Sequence, residues 1–276
     1  MKKRSKKLHS QAHFLKHIPN FLTLCNSLCG FAAILYMMNA HGQALGLALP
    51  TFTIAAWMIF SAMIFDVCDG LAARLLNAAS LHGIQMDSLA DMVTFGVTPA
   101  VMIALLSQCL LNWAPTIGQA VTIYLLCCVY LGGAALRLAT YNVHATLEKK
   151  SSDTFSGLPS PGAAAALCVA LFYIRVHVTD IKILQYCWIA LPVFAAILGL
   201  LMTSTIPYIH AGKWLMSIRR NRRKLPIVLV MLAVILCFKI SGLTFIMAAY
   251  LLSGPVMLVF DRIFRKDNAP QVQEEA

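Results

Sequence analysis

Four of the chain's eleven acidic residues, Asp66, Asp69, Asp87 and Asp91, fall within one 26-residue window. Asp66 and Asp69 are three apart, and Asp87 and Asp91 are four apart, so on helices each pair projects from a single face. Gly70 and Gly83 flank the connection between the pairs. A turn of about a dozen residues there would let two helices run antiparallel with the pairs facing one another. Four carboxylates brought together repel strongly unless cations lie between them. Hard divalent ions with oxygen ligands meet that need, as in two-metal phosphoryl-transfer sites. One Asp at the end of a span reads equally well as a helix cap. Four at these spacings, with Arg74 between them, do not.

The elements that must carry these residues follow from composition. Of 276 residues 59% are hydrophobic and only 12% charged, with a mean hydropathy of +0.75. Soluble domains carry about twice that charge, which excludes a soluble enzyme, a disordered protein and a coiled coil. An all-α polytopic transmembrane bundle remains. Eight apolar runs have spanning length: 19–39, 47–66, 86–110, 117–141, 158–177, 186–208, 225–240 and 242–261. The seventh is short and ends at Lys239, so seven spans is the alternative count.

The net charge of +11 does not describe a nucleic-acid-binding face, because the basic residues sit at the ends of apolar runs. With eight spans and a cytoplasmic N-terminus, the C-terminus is cytoplasmic too. Nineteen of the 22 Lys and Arg then fall inside, and only Arg175, Lys182 and Lys239 fall outside, as the positive-inside rule requires. The chain divides into a basic tail or surface helix (1–17), a membrane core (18–210), a basic connection (211–224), two further C-terminal spans (225–262) and a polar tail (263–276). The nine cysteines include no Cys-x-x-Cys pair and read as small buried hydrophobes.

The stretch Asp66-Val-Cys-Asp69-Gly70-Leu-Ala-Ala73-Arg74, then eight residues, Gly83, three residues, Asp87, three residues and Asp91 resembles the signature of the CDP-alcohol phosphatidyltransferases. Every fixed position of D-x2-D-G-x2-A-R-x8-G-x3-D-x3-D is present. The resemblance implies a helical, homodimeric membrane enzyme that joins an alcohol to the phosphatidyl group of CDP-diacylglycerol and releases CMP. It further implies that Asp66, Asp69 and Asp87 hold two divalent ions, Mg2+ or Mn2+, with Asp91 contributing to the second and serving as general base. Gly70 and Ala73 would let the nucleotide approach the backbone, Gly83 belongs to the same nucleotide segment, and Arg74 would hold the diphosphate. Ser80 would contact the nucleotide by analogy, or is an ordinary loop serine. The site should open to the cytoplasm, since the nucleotide and small acceptors are water-soluble.

Three further stretches resemble the bacterial branch of that family that uses L-serine, which implies a bacterial cytoplasmic membrane. They are Ile18-Pro19-Asn20 through Gly30-Phe31, Asp87 through Pro99-Ala100, and Arg137-Leu-Ala-Thr-Tyr141-Asn142 followed by Phe155 through Pro161. The likeness runs from about residue 18 to 210, and the last two spans carry no motif. Serine brings a carboxylate and an ammonium. Arg137, the one basic residue deep in the fourth span, is a candidate partner for that carboxylate; a structural pair is the other reading. Asn26 touches either the acceptor or another helix. Asn20 and Thr23 touch the nucleotide or cap the first helix.

Other acceptors (glycerol 3-phosphate, inositol phosphate or choline) fit the same metal site. Phosphorylated ones would call for more Lys and Arg near Asp91 than Arg74 and Arg137. Prenyl transfer uses aspartate motifs set farther apart in sequence. A cation transporter would leave Gly70, Ala73 and Arg74 without a purpose.

Overall fold

Every regular element among the described residues is a helix. Apolar solvent requires this, because a spanning segment must satisfy its own backbone hydrogen bonds. The structure is a computed structural model and describes residues 17–76, 78, 80–147, 157–206, 208 and 225–265. The basic tail before His17, the basic connection 211–224 and the polar tail after Arg265 lie outside the described residues.

In chain order the elements are α1 (Ile18–Met38), α2 (Leu45–Leu75), α3 (Leu81–Asp91), a π-helical turn (Met92–Val97), α4 (Thr98–Leu110), α5 (Ile117–Leu147), α6 (Ser160–His177), α7 (Ile181–Thr203) and α8 (Leu225–Arg265). Seven helices among the described residues are long and apolar enough to cross a membrane, α3, the π turn and α4 acting as one 30-residue rod. The chain is an integral membrane protein. Large apolar side chains such as Phe21, Trp57, Ile64 and Leu125 face outward, as expected where the solvent is lipid.

The bundle has two ends. Thr23 of α1 meets Asp69 of α2 at one of them; at the other, Trp113 Nε1 donates to the Gln43 carbonyl at 2.8 Å. Helix α6 starts at the first end and finishes at His177 on the far end, where His177 Nε2 lies 2.8 Å from Ser241 Oγ. Tyr208, following α7, is back at the first end: Leu158 N–H donates to the Leu201 carbonyl at 3.0 Å, and the Tyr208 hydroxyl donates to the Leu251 carbonyl at 3.1 Å. Ser241 thus lies at the far end and Leu251 at the first, so the part of α8 after Lys239 runs the height of the bundle. The separate seventh and eighth runs appear as one helical element broken at Lys239, where φ is 50° and ψ −121°.

Small residues set the packing. Helix α6 is buried almost throughout, and Ala163, Ala164, Ala165 and Ala166 let its neighbours approach closely. Helices α5 and α7 cross where Gly133 and Gly199 meet, and a Cβ on Gly199 would stand 2.6 Å from Tyr130 Cα. That neighbour is backbone and cannot swing aside. Gly199→Val should lower the midpoint of thermal unfolding in detergent, at a cost of about 1–3 kcal/mol. Gly132→Ala, whose Cβ would meet nothing within 4 Å, should leave the midpoint in place. Equal behaviour of the two variants would contradict this account of the crossing.

Candidate metal and active site

The apolar run of α2 stops at Asp66, but the helix does not; it continues nine residues to Leu75. Asp66, Asp69, Gly70, Ala73 and Arg74 thus occupy its last turns at offsets of 0, 3, 4, 7 and 8, a single stripe. Only five residues separate α2 from α3, fewer than the dozen expected. Ser80 starts α3 as its N-cap, its hydroxyl accepting the Gly83 N–H at 3.0 Å. One and two turns farther, Asp87 and Asp91 face back across the cleft.

One carboxylate oxygen from each of Asp66, Asp69 and Asp87 lies within 4.8 Å of the others. Asp69 is buried and accepts the Thr23 hydroxyl on Oδ2 at 2.7 Å, while Asp87 Oδ1 is buried with no hydrogen-bond partner. An orphaned buried oxygen is expensive unless something electropositive meets it. An all-carboxylate donor set with one such oxygen fits a hard divalent cation.

Asp91 stands apart from this trio. Its Oδ1 accepts the Asn26 amide at 3.1 Å. Asn26 is fully buried and lines neither cavity of the site, so its contact is with the carboxylate and not with the space an acceptor would fill. Two threonines hold the helices in register. Thr94 Oγ1 donates to the Asn26 carbonyl at 3.0 Å, and Thr98 Oγ1 lies 3.1 Å from the Gly30 carbonyl and 2.8 Å from that of Val93. Gly30 must be glycine, because a Cβ there would stand 2.9 Å from Thr94 Cα.

The π turn begins at the residue after Asp91, and such turns occur often at functional sites. Pro99 has no N–H to offer the Phe95 carbonyl. The hydroxyl of Tyr130, wholly buried on α5, supplies the donor at 2.7 Å. Sequence reading missed this support, although Pro99 lies four residues beyond Phe95. The four-residue spacing of Thr94 and Thr98 also matches that of Asn26 and Gly30.

Two cavities meet at Asp87. The smaller, about 200 Å3, is lined by Asn20, Thr23, Asp69, Gly70, Ala73, Arg74, Ser80 and Gly83, among others. It gathers every residue that the sequence assigns to the nucleotide. Gly70 has open space where a Cβ would be. Neither Asn20 nor Thr23 caps α1, whose N-cap is His17.

The larger chamber, about 550 Å3, has a polar end at Asp66, Asp87, Asp91 and Arg137 and an apolar remainder that includes Met63, Val67, Leu138 and Ala165. Arg137 donates from Nη1 to Ser160 Oγ at 3.1 Å, and its buried Nε has no hydrogen-bond partner. Asp91 is the carboxylate among its electrostatic neighbours, with the phenols of Tyr250 and Tyr141.

The chain's residues 16–198 match the family model described as CDP-alcohol phosphatidyltransferase. A Helicobacter pylori strain J99 protein named CDP-diacylglycerol–serine O-phosphatidyltransferase is 29% identical over 249 residues, covering 88% of this chain and 91% of that protein. A Bacillus subtilis protein of the same name is 35% identical over 161 residues, 57% of this chain and 77% of the relative. A Saccharomyces cerevisiae protein of that name is 32% identical over 178 residues, 58% and 55%.

The geometry makes a prediction that does not depend on turnover. Removing one charge from the trio relieves repulsion, so Asp87→Asn should raise the metal-free unfolding midpoint. Divalent ion at a hundred times its dissociation constant should stabilise the wild type by about 2.7 kcal/mol and the variant much less. Equal stabilisation of both by Mg2+ and Mn2+ would mean that the ions bind elsewhere.

Proposed function

Because the chain belongs to the CDP-alcohol phosphatidyltransferase family, we propose that it transfers the phosphatidyl group of CDP-diacylglycerol to the hydroxyl of L-serine and releases CMP. The family signature is complete in the site, and relatives named for this reaction align with most of the chain. The observation that carries the choice of acceptor is Arg137: a half-buried guanidinium whose buried Nε is orphaned, lining the same chamber as Asp91. A guanidinium suits a carboxylate, and a single one suits a singly charged acceptor better than a phosphorylated one.

Asp66, Asp69 and Asp87 would hold two divalent ions, with Asp91 contributing to the second. Bound Mg2+ or Mn2+ supplies charge neutralisation for the diphosphate and for departing CMP. Arg74 pairs with the diphosphate in the smaller cavity, where Gly70 and Ala73 admit the nucleotide and Asn20, Thr23, Ser80 and Gly83 form its walls. Asp91 takes the proton from the serine hydroxyl. That oxygen bonds to the lipid-side phosphorus as the phosphorus–oxygen bond to CMP breaks. Arg137 orients serine by its carboxylate. Asn26 is a positioning residue: it occupies Asp91 Oδ1 and so fixes where the other oxygen points.

The reaction is proposed to take place on the cytoplasmic face of a bacterial inner membrane, a reading that the distribution of basic residues and the bacterial relatives support. The protein is proposed to work as a homodimer, as its family implies.

The test is CMP release from purified protein in micelles of CDP-diacylglycerol with Mg2+ or Mn2+, supplying one acceptor at a time. Serine should support turnover, and glycerol 3-phosphate, inositol phosphate and choline should not. Asp91→Asn should lower kcat by at least a hundredfold while CDP-lipid binding persists. Asn26→Ala should lower kcat with little change in either KM. Turnover with another acceptor alone would remove the serine assignment and keep the metal site; normal turnover in Asp91→Asn would end its role as base.

A further inference from the structure

The chamber that holds Asp91 and Arg137 is not closed by the family core. The matched region ends at residue 198, yet Ile246, Met247 and Tyr250, from the second half of α8, line the chamber. Tyr250 is the polar member of that wall. It belongs with Asp91 and Tyr141 to the electrostatic surroundings of Arg137. Its ring lies against the start of α6: a Cβ on Gly162 would stand 3.2 Å from Tyr250 Cε1 and 3.6 Å from its hydroxyl oxygen. Gly162 is two residues from Ser160, the residue that accepts a hydrogen bond from Arg137.

The phenol is also braced from behind. The Tyr208 ring centroid lies 6.0 Å from that of Tyr250. Tyr208 is itself anchored by its bond to the Leu251 carbonyl and seated against Gly254, where its ring leaves no room for a Cβ. A tyrosine held on two sides, with Arg137 as its electrostatic neighbour at the polar end of an otherwise apolar chamber, is placed to recognise a small polar molecule.

Building on the serine reading, we propose that Tyr250 of the C-terminal helix is an acceptor-selecting residue, its hydroxyl binding the amino acid held by Arg137 and its ring limiting the acceptor's size. The apolar remainder of the chamber is left for the glyceryl and acyl stems of the lipid. The C-terminal helix is then part of the active site, although its sequence carries no catalytic motif.

The experiment uses full-length protein in CDP-diacylglycerol micelles with divalent metal. It measures KM for each substrate, kcat, and the shift in unfolding midpoint produced by L-serine. Tyr250→Phe should raise the serine KM about tenfold, the loss of one hydrogen bond to a charged group, and shrink the serine-induced shift. KM for the CDP-lipid should stay within twofold. Tyr250→Ala should in addition accept L-homoserine, which the wild type should turn over poorly. Gly162→Ala acts from the opposite helix by crowding the ring, and should raise the serine KM in the same direction but less. It decides the matter if the Tyr250 variants do not fold.

An unchanged serine KM in folded variants would overturn the proposal, as would equal rises in both KM values, which mark a purely structural role. Should the wild type use a different acceptor, the serine reading fails by itself. The same variants are then read on that acceptor's KM, and an unchanged value there overturns the role of Tyr250.

Discussion

Mutual repulsion among Asp66, Asp69 and Asp87 is the constraint around which the bundle is organised. Three carboxylate oxygens within 4.8 Å of one another, treated as unit charges at an effective dielectric of about 20, repel by about 3.5 kcal/mol per pair. With all three ionised the pairs together would reach roughly 10 kcal/mol, comparable with the whole net stability of a typical domain, so the cluster must take up a proton or a cation. A bundle of flexible helices would relieve this by splaying α2 away from α3. It is prevented from doing so by α1, which packs along α2 and against α3 and contributes Thr23 to Asp69 and Asn26 to Asp91. The threonine pair Thr94 and Thr98 then ties the rod that continues from α3 to the α1 backbone. The assembly is preorganised for cations: the cost of gathering the charges is met in folding, and a bound ion repays it.

Membrane embedding determines the placement of the site. Within lipid a carboxylate is costly, and its natural location is the end of a span or a water-filled cavity. All four aspartates lie toward one end of the bundle, on helices that extend beyond their apolar runs. This lets the two cavities divide the substrate by polarity. The smaller one takes in Arg74 and the last turns of α2. The larger begins at the carboxylates and turns apolar toward Met63, Val67 and Met247. Asp87 belongs to both, so the reacting phosphorus of a molecule spanning the two would pass beside it. A lipid with a nucleotide head has that same division of polarity along its length.

The sequence made the carboxylate pairs, the nucleotide segment and the helical class legible, because each depends on local spacing or on bulk composition. The length of α2 was not legible: hydropathy ends a span where charge begins, whereas the helix carries on through Asp69, Gly70 and Arg74 to Leu75. Asn26 looked equally able to bind acceptor or helix, since a buried amide is polar in either role; only the fold shows Asp91 beside it. The π turn depends on Tyr130 meeting Phe95 across 35 residues, a contact that no local pattern encodes. The C-terminal helix illustrates the sharpest limit. Its residues at the chamber, Ile246, Met247 and Tyr250, follow ordinary helical spacing and look like core or lipid-facing positions until the α6–α8 contact is known.

Separating Asp91 from the metal trio also has a chemical reason. A carboxylate whose oxygens are both committed to cations is a poor proton acceptor, because each bound charge lowers its basicity. In the arrangement proposed above, Asp91 contributes to only one of the two ions, and its Oδ1 is occupied by a neutral amide, a far weaker demand than a second divalent ion. Asn26 restrains rotation of the carboxylate, and it does so on a residue that lines the chamber Arg137 shares. Aspartate at position 26 would add a fifth carboxylate to the four already gathered there, and leucine would leave Asp91 without its donor. An amide donates without adding charge, and here it is fixed through its own backbone carbonyl to Thr94, on the same rod as Asp91. The hydrogen bond that orients the carboxylate is thus closed into a short loop of contacts between two helices. A shift of α1 relative to that rod would disturb the carboxylate and its anchor together.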